Sequence, residues 1–339
     1  MKINPRALVL LCIFLVLPAL ACKTLNAPAD TATPPQPPTT VRANTPALNE
    51  QRGTLPVNDQ RPDLLYVTHK DGSMEIFGMQ ADGSNNVQLT HTDYVSNWHP
   101  AWSPDCTQIA YQADLLKKNF PLIYVMKYGS DEEPSLLLDP EQFMTGEQPS
   151  WSPDGRQIAF SGRLQNMGGR VIFIMHADGT QIKPLTDAGS SSLNTCPAWS
   201  PDGKKIAYIY TQNGGTHYLM VMNADGSDAK SLNALKNFSY GCPSWSPDSQ
   251  QIVFVVSGYG ITDDLAIINA DGSNFTNLTN STAEEWEPDW SPDGTRIAYM
   301  KREGGSNLQI RSMNIDGSDD IALTDDDMNY HFPDWCPLP

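Results

Sequence analysis

The stretch Pro197-Ala198-Trp199-Ser200-Pro201-Asp202-Gly203-Lys204-Lys205-Ile206-Ala207-Tyr208, followed by Asn223-Ala224-Asp225-Gly226-Ser227, carries the reading of the whole chain. Outward from it, Trp-Ser-Pro-Asp returns at Trp102, Trp151, Trp245 and Trp290, and shortened to Trp-Cys-Pro at Trp335. Successive tryptophans stand 49, 48, 46, 45 and 45 residues apart. Ala-Asp-Gly-Ser/Thr returns in phase at Ala81, Ala177 and Ala270, with variants at Ile315-Asp316-Gly317-Ser318 and Tyr128-Gly129-Ser130. Two motifs held in phase over five intervals are an internal repeat, the first thing to seek in a sequence.

Each unit reads as four short strands. In the quoted unit they are Pro197-Ala198-Trp199, Lys205 to Tyr210, Tyr218 to Met222 and Ala229 to Leu232. Ser-Pro-Asp-Gly separates the first two: proline presets φ, Asp tolerates the next turn position, and Gly accepts positive φ. Asn-Ala-Asp-Gly does the same between third and fourth strands. Four strands per ~45 residues is the period of a propeller blade. The folded part opens with Leu64-Leu65-Tyr66-Val67-Thr68, which matches a second strand and has no Trp-Ser-Pro-Asp before it. It closes with Pro333-Asp334-Trp335, which matches only a first strand. The fragments are complementary. An all-β, six-bladed β-propeller of four-stranded blades is therefore expected over 63–339, its ring closed by the C-terminal strand, which removes sheet edges that would invite aggregation.

The Trp-Ser-Pro-Asp-Gly-x-x-Ile-Ala-Tyr/Phe and Asn-Ala-Asp-Gly-Ser pattern resembles the propeller repeat of the TolB family, the periplasmic partner of the Tol–Pal system, and is WD-like in its period. Similar repeats occur in prolyl-oligopeptidase-type enzymes and in oligogalacturonate lyases. The resemblance covers about Leu64 to Pro337 and implies the fold without implying an activity. A tether stands where TolB has its N-terminal domain, and no peptidase domain is expected after Pro339.

The chain has 339 residues, with 22 Lys and Arg against 39 Asp and Glu, for a formal charge of −17. Such a surface repels phosphate backbones, which argues against a nucleic-acid partner. Lys2 and Arg6 precede the apolar run Ala7–Leu20, and Ala19-Leu20-Ala21 offers small cleavage residues just before Cys22. This resembles a bacterial lipoprotein signal over 1–21 with Cys22 as the lipid attachment site, although Ala19 stands where that family usually has Leu. A plain secretory cut would release the same chain unlipidated. Residues 22–62 are rich in Pro and Thr, as in Pro34-Pro35-Gln36-Pro37-Pro38, and read as a disordered tether.

Candidate function lies where the repeats disagree. The repeated Asp154, Asp202, Asp248 and Asp293 read as turn caps, and each repeated Trp as a wedge between blades. Four residues before each Trp stand Trp98, Glu147, Thr195, Gly241, Trp286 and His331. Three before stand His99, Gln148, Cys196, Cys242, Glu287 and Phe332. Together with loop residues Tyr94, Tyr240, Glu284, Glu285 and Tyr330, they form an aromatic and acidic rim on the face opposite the Ser-Pro-Asp-Gly turns. The partner-binding set drawn from it is Tyr94, Trp98, His99, Glu147, Tyr240, Glu285, Trp286, Tyr330 and His331.

No G-x-S-x-G elbow or H-E-x-x-H helix occurs, so no catalytic residue is assigned. His99 and His331, with Gln148 or Glu287, are the one set that resembles the divalent-metal site of the lyase relatives; two histidines are too few, and no metal or cofactor is assigned. Repeat register pairs Cys106 with Cys336 across the ring closure, and Cys196 with Cys242 between consecutive blades. The expectation is a monomeric, exported, membrane-anchored envelope propeller, non-catalytic, that binds an unidentified envelope protein. The alternative is a carbohydrate-binding or carbohydrate-active propeller of oligogalacturonate-lyase type, with a glycan as partner and a metal assisting.

Overall fold

The second strand of each repeat is rich in β-branched and aromatic residues, as in Lys205-Ile206-Ala207-Tyr208-Ile209-Tyr210, and buried along its length rather than on alternate residues. A strand reads that way when its sheet is covered on both faces, as happens when every sheet is packed between two others. The computed structural model describes residues 61–338 apart from 93–94, 115–119, 188–191, 213–214, 233–237, 259–260 and 306. It is a ring of six antiparallel blades, as the repeat predicts.

The first blade contains β1 (Leu64–Lys70), β2 (Ser73–Met79) and β3 (Val87–Gln88), and the last strand of the chain, β25 (Tyr330–Trp335), is its innermost strand. Leu64 pairs with Trp335 and Thr68 with Tyr330, so the first and last strands of the described residues meet in one sheet. The second blade runs β4 (Asn97–Trp102), β5 (Gln108–Asp114), β6 (Pro121–Lys127) and β7 (Ser135–Leu136). The third runs β8 (Phe143–Trp151) to β11 (Lys183–Pro184), the fourth β12 (Leu193–Trp199) to β15 (Lys230–Ser231), and the sixth β21 (Glu284–Trp290) to β24 (Ile321–Ala322). In the fifth the inner strand is split into β16 (Phe238–Tyr240) and β17 (Ser244–Trp245), both pairing with β18 (Gln251–Gly258); β19 (Ile261–Asn269) and β20 (Thr276–Asn277) follow.

The repeated turns are scaffold. In Ser200-Pro201-Asp202-Gly203 the Ser200 hydroxyl donates to Asp202 Oδ1 at 2.7 Å and accepts from the Lys205 amide at 2.9 Å. The same bonds recur at Ser152/Asp154, Ser246/Asp248 and Ser291/Asp293. Bonds from the serine hydroxyls lead the effects that hold Asp105, Asp154, Asp248 and Asp293 below the usual carboxylate range. At the glycine position of the first such turn stands Cys106, in the left-handed region at φ 49°. That substitution places its thiol where the last strand ends, and Cys106 is bonded to Cys336 with Cα atoms 5.7 Å apart. The second disulfide joins Cys196 and Cys242.

The six repeated tryptophans hold the joints between blades, by two different hydrogen bonds. At two joints the preceding blade has Ala just before its own Trp, and the indole reaches its carbonyl: Trp151 Nε1 donates to Ala101 O at 3.1 Å, and Trp245 Nε1 to Ala198 O at 3.0 Å. At the other four joints that residue is Ser or Asp, and its side chain accepts from the next tryptophan's amide. Trp199 N donates to Ser150 Oγ, Trp290 N to Ser244 Oγ, Trp335 N to Asp289 Oδ2, and Trp102 N to Asp334 Oδ2. At those four joints the indole nitrogens of Trp199, Trp290, Trp335 and Trp102 have no partner among the described residues. One residue identity chooses which of the two bonds each joint makes.

Candidate functional site: the inner strands and the lumen

All six inner strands carry proline two residues before the tryptophan: Pro100, Pro149, Pro197, Pro243, Pro288 and Pro333. Proline has no N–H to give to a ladder, so the strand must bulge there. Register shifts lie at that place in β4, β8, β12 and β21, and in the fifth blade the strand breaks. The residue before each proline is thrown into the left-handed region in five blades: His99 (φ 47°), Gln148 (56°), Cys196 (51°), Glu287 (49°) and Phe332 (53°). A non-glycine residue there costs on the order of 1 kcal/mol, and the cost recurs because the bulge turns these side chains into the lumen of the ring.

Around the ring they meet their neighbours. His99 stacks on Phe332 with ring centroids 3.8 Å apart. Gln148 accepts from the Cys196 amide at 2.9 Å and approaches the Cys196 Sγ at 3.1 Å through Nε2. These side chains form one end of a cavity of about 400 Å³, whose other end is lined by the prolines of the Trp-Ser-Pro turns, such as Pro201 and Pro292. The residues four before each Trp do not line it. Burial pushes the His99 imidazole down to about 3 and the Glu287 carboxyl up to about 7.

The rim four residues before each Trp is lopsided. Trp98 packs edge-on against His331 at 6.0 Å and Phe332 at 5.9 Å, so adjacent inner strands β25 and β4 build one aromatic cluster. Beside it, on β21, Trp286 donates from Nε1 to Asp263 Oδ2 at 2.6 Å and carries the Arg302 guanidinium 5.1 Å over its ring. Arg302 is held by Glu284 at 2.6 Å. Across the ring the same positions are Glu147, paired with Arg170 at 2.7 Å, then Thr195 and Gly241. Burial raises the Glu147 carboxyl despite that arginine, and burial lowers the His331 imidazole.

Of the nine residues expected at a partner face, Trp98, His99, Glu147, Trp286 and His331 are half-buried around the inner strands. Tyr94 lies outside the described residues, as do Cys22, the signal segment and the tether up to residue 60. Three others are corrected. Tyr240 is 3% exposed and packs on Phe254. Glu285 is 0% exposed, its carboxylate accepting from Thr279 and Ser281 with Lys301 at 4.0 Å. Tyr330 is buried against Tyr66 and donates to Asp326. Strand pairing turned these side chains between blades, which loop position alone does not reveal. His99 and His331 do come near each other, but Phe332 contacts both rings, and among the described residues no group of three His, Cys, Asp or Glu is placed to hold a metal.

Two lumen residues escaped the sequence reading: Asp289 and Asp334, each just before its Trp. Asp289 also accepts from Ser244 Oγ at 2.7 Å. Burial raises both carboxyls, and at Asp334 the neighbouring charge of Asp289 adds to it. The signal was present as the one varying letter in Pro-x-Trp, which reads Ala, Ser, Ala, Ser, Asp and Asp around the chain.

The fold has solved counterparts. TolB from Acinetobacter baumannii superposes with a TM-score of 0.68 at 24% identity, over 81% of this chain and 66% of that one, so the chain spans just under two thirds of its length. A chain of a nidogen/laminin complex gives 0.63 at 13% identity, over 80% and 97%. An oligogalacturonate lyase in complex with manganese gives 0.52 at 15%, over 78% and 73%. Identities this low establish the shared fold alone. No curated protein matches the sequence significantly. A family model, the TolB beta propeller domain, matches residues 63–338, and with the six closed blades and their repeated turns the chain belongs to that family.

Proposed function

We propose that the chain is a non-catalytic protein-interaction propeller of the bacterial cell envelope, exported and lipid-anchored through Cys22, that engages a protein partner with the face carrying Trp98, Trp286 and His331. The observation behind this reading is the one-sided aromatic cluster. Trp98, His331 and Phe332 lie together on neighbouring inner strands, with Trp286 and its Arg302 alongside. Half-buried rings grouped with an arginine are the composition of interface hot spots. Membership in the TolB propeller family supports the interaction role, and the nidogen/laminin neighbour is a propeller caught in a protein complex. Two disulfides suit an oxidising compartment.

The test is site-directed photo-crosslinking in intact cells from a probe at Thr195, on the same rim as Trp98 and Trp286. A discrete adduct lost in the Trp98→Ala, Trp286→Ala double variant, and retained when Asp316 on the opposite turns is changed to Asn, supports the assignment. Identical adducts from all three proteins refute it. Palmitate labelling abolished by Cys22→Ser tests the anchor separately. The carbohydrate-active alternative has less support, because the histidines that would serve a metal are packed on Phe332.

A further inference from the structure

The lumen carries a charge that the partner face does not use. Its lining includes three carboxylates, Glu287, Asp289 and Asp334, all from the sixth and first blades, and no lysine or arginine. At the residue before each Trp the other four blades offer only Ala101, Ser150, Ala198 and Ser244. Both Asp289 oxygens accept hydrogen bonds, from Ser244 Oγ and the Trp335 amide, while Asp334 accepts from the Trp102 amide. No hydrogen bond or ion pair among the described residues reaches the Glu287 carboxylate, and the His99 Nδ1 atom is buried without a partner. All three carboxylates are half-buried around the cavity, and grouping them there with no cation beside them is costly. Either a proton or a cationic guest must neutralise them. Burial raises the Glu287, Asp289 and Asp334 carboxyls, so each takes up a proton more readily than an exposed carboxylate does.

The remaining walls say what kind of guest fits. They are two tiers of prolines and parts of the six tryptophans, chiefly apolar surface of the kind that takes up a hydrocarbon body. The cavity, about 400 Å³, lies in the range of small-molecule pockets. We propose that the lumen is a binding site for an organic ammonium ion, a protonated primary amine on an apolar body, with its head between Asp289 and Asp334 and its body against the proline and tryptophan walls. A bare metal ion suits the place less well. No three metal-ligating side chains converge among the described residues. The guest enters past the prolines of the Trp-Ser-Pro turns, since the rim residues four before each Trp lie outside the lining. The site adjoins the partner face at His99 and Phe332, which line the cavity, but its carboxylates are no part of that face, and either assignment stands if the other fails.

The full-length protein is titrated with hexylammonium chloride and, separately, with 1-hexanol, which has the same body without the charge. Tryptophan fluorescence and calorimetry follow the binding. Hexylammonium is expected to bind at least tenfold more tightly than hexanol at pH 8. Its affinity falls towards pH 5 as Asp289, Asp334 and Glu287 take up protons; His99, held neutral by burial, does not contribute over that range. Binding also releases protons, seen as a dependence of the heat on buffer ionisation enthalpy. Asp289→Asn with Asp334→Asn removes the tenfold preference, whereas Asp271→Asn with Asp316→Asn, an equal change in charge on exposed turns, leaves it. Equal affinity for amine and alcohol, or a preference that survives the double variant, overturns the proposal. Calcium chloride that displaces the amine and binds more tightly overturns it in favour of an inorganic cation. If the double variant does not fold, the amine–alcohol comparison and the proton release in the unaltered protein decide the matter.

Discussion

The backbone N–H of Trp102 donates to Asp334 Oδ2 at 2.8 Å, a bond between residues 232 apart in the chain and adjacent in the ring. It ties the first complete repeat to the strand that closes the propeller. The carboxyl is raised by burial and by Asp289. A carboxyl raised in the folded state contributes stability that is fully present below the ordinary carboxylate range and is lost as pH rises through the raised value. Asp334→Asn keeps an acceptor for Trp102 without the charge. Its melting temperature should exceed that of the unaltered protein at pH 8 by a few degrees, on the order of 1 kcal/mol, and the gain should vanish at pH 4. Thermal melts at the two pH values check this; an equal loss at both would show that the charge is immaterial.

The two disulfides should respond differently to removal and to reduction. Cys106–Cys336 spans 230 residues and Cys196–Cys242 spans 46. In the chain-entropy picture the first is worth about 5 kcal/mol and the second about 4 kcal/mol. Cys336→Ser is therefore expected to lower the melting temperature more than Cys242→Ser. Cys106 and Cys336 are 1% and 2% exposed, whereas Cys196 and Cys242 line the lumen. Limiting dithiothreitol followed by alkylation should mark Cys196 and Cys242 first, as read by peptide mass spectrometry.

Removing an indole N–H should cost most where that N–H is used. Trp151→Phe deprives the Ala101 carbonyl of its donor and should destabilise by about 1 kcal/mol more than Trp335→Phe, since hydrogen bonds of this kind contribute roughly that much. The Trp335 indole nitrogen has no partner among the described residues to lose. Urea denaturation of both variants makes the comparison.

His99 sets an opposite slope to that of the carboxyls. Its imidazole is pushed down to about 3 by burial, while an unfolded histidine titrates near ~6.5. The stability it contributes is present above that value and is lost as pH falls towards the depressed one. His99→Gln should reduce the loss of stability between pH 6.5 and pH 5 relative to the unaltered protein, by up to about 1.4 kcal/mol per pH unit. Denaturant melts at the two pH values measure it, and identical slopes would contradict the burial of a neutral ring.

The chain by itself determined the number of blades, their strand order and the way the ring closes. Trp-Ser-Pro-Asp-Gly and Ala-Asp-Gly-Ser make their hydrogen bonds over two to five residues, so their geometry is local and repeats wherever the letters do. Leu64–Thr68 and Pro333–Trp335 were recognisable as halves of one blade because each lacked what the other had. The thiol pairs were legible for the same reason, since equivalent positions in a ring have known neighbours. Tertiary structure alone decided what the unrepeated residues do. Tyr240, Glu285 and Tyr330 belong to strands whose pairing carries their side chains inward, and Asp289 and Asp334 become neighbours only once the last strand lies beside β21. Local bonds follow from neighbouring letters; the field felt by a carboxylate depends on what the closed ring brings around it and on how much water it shuts out.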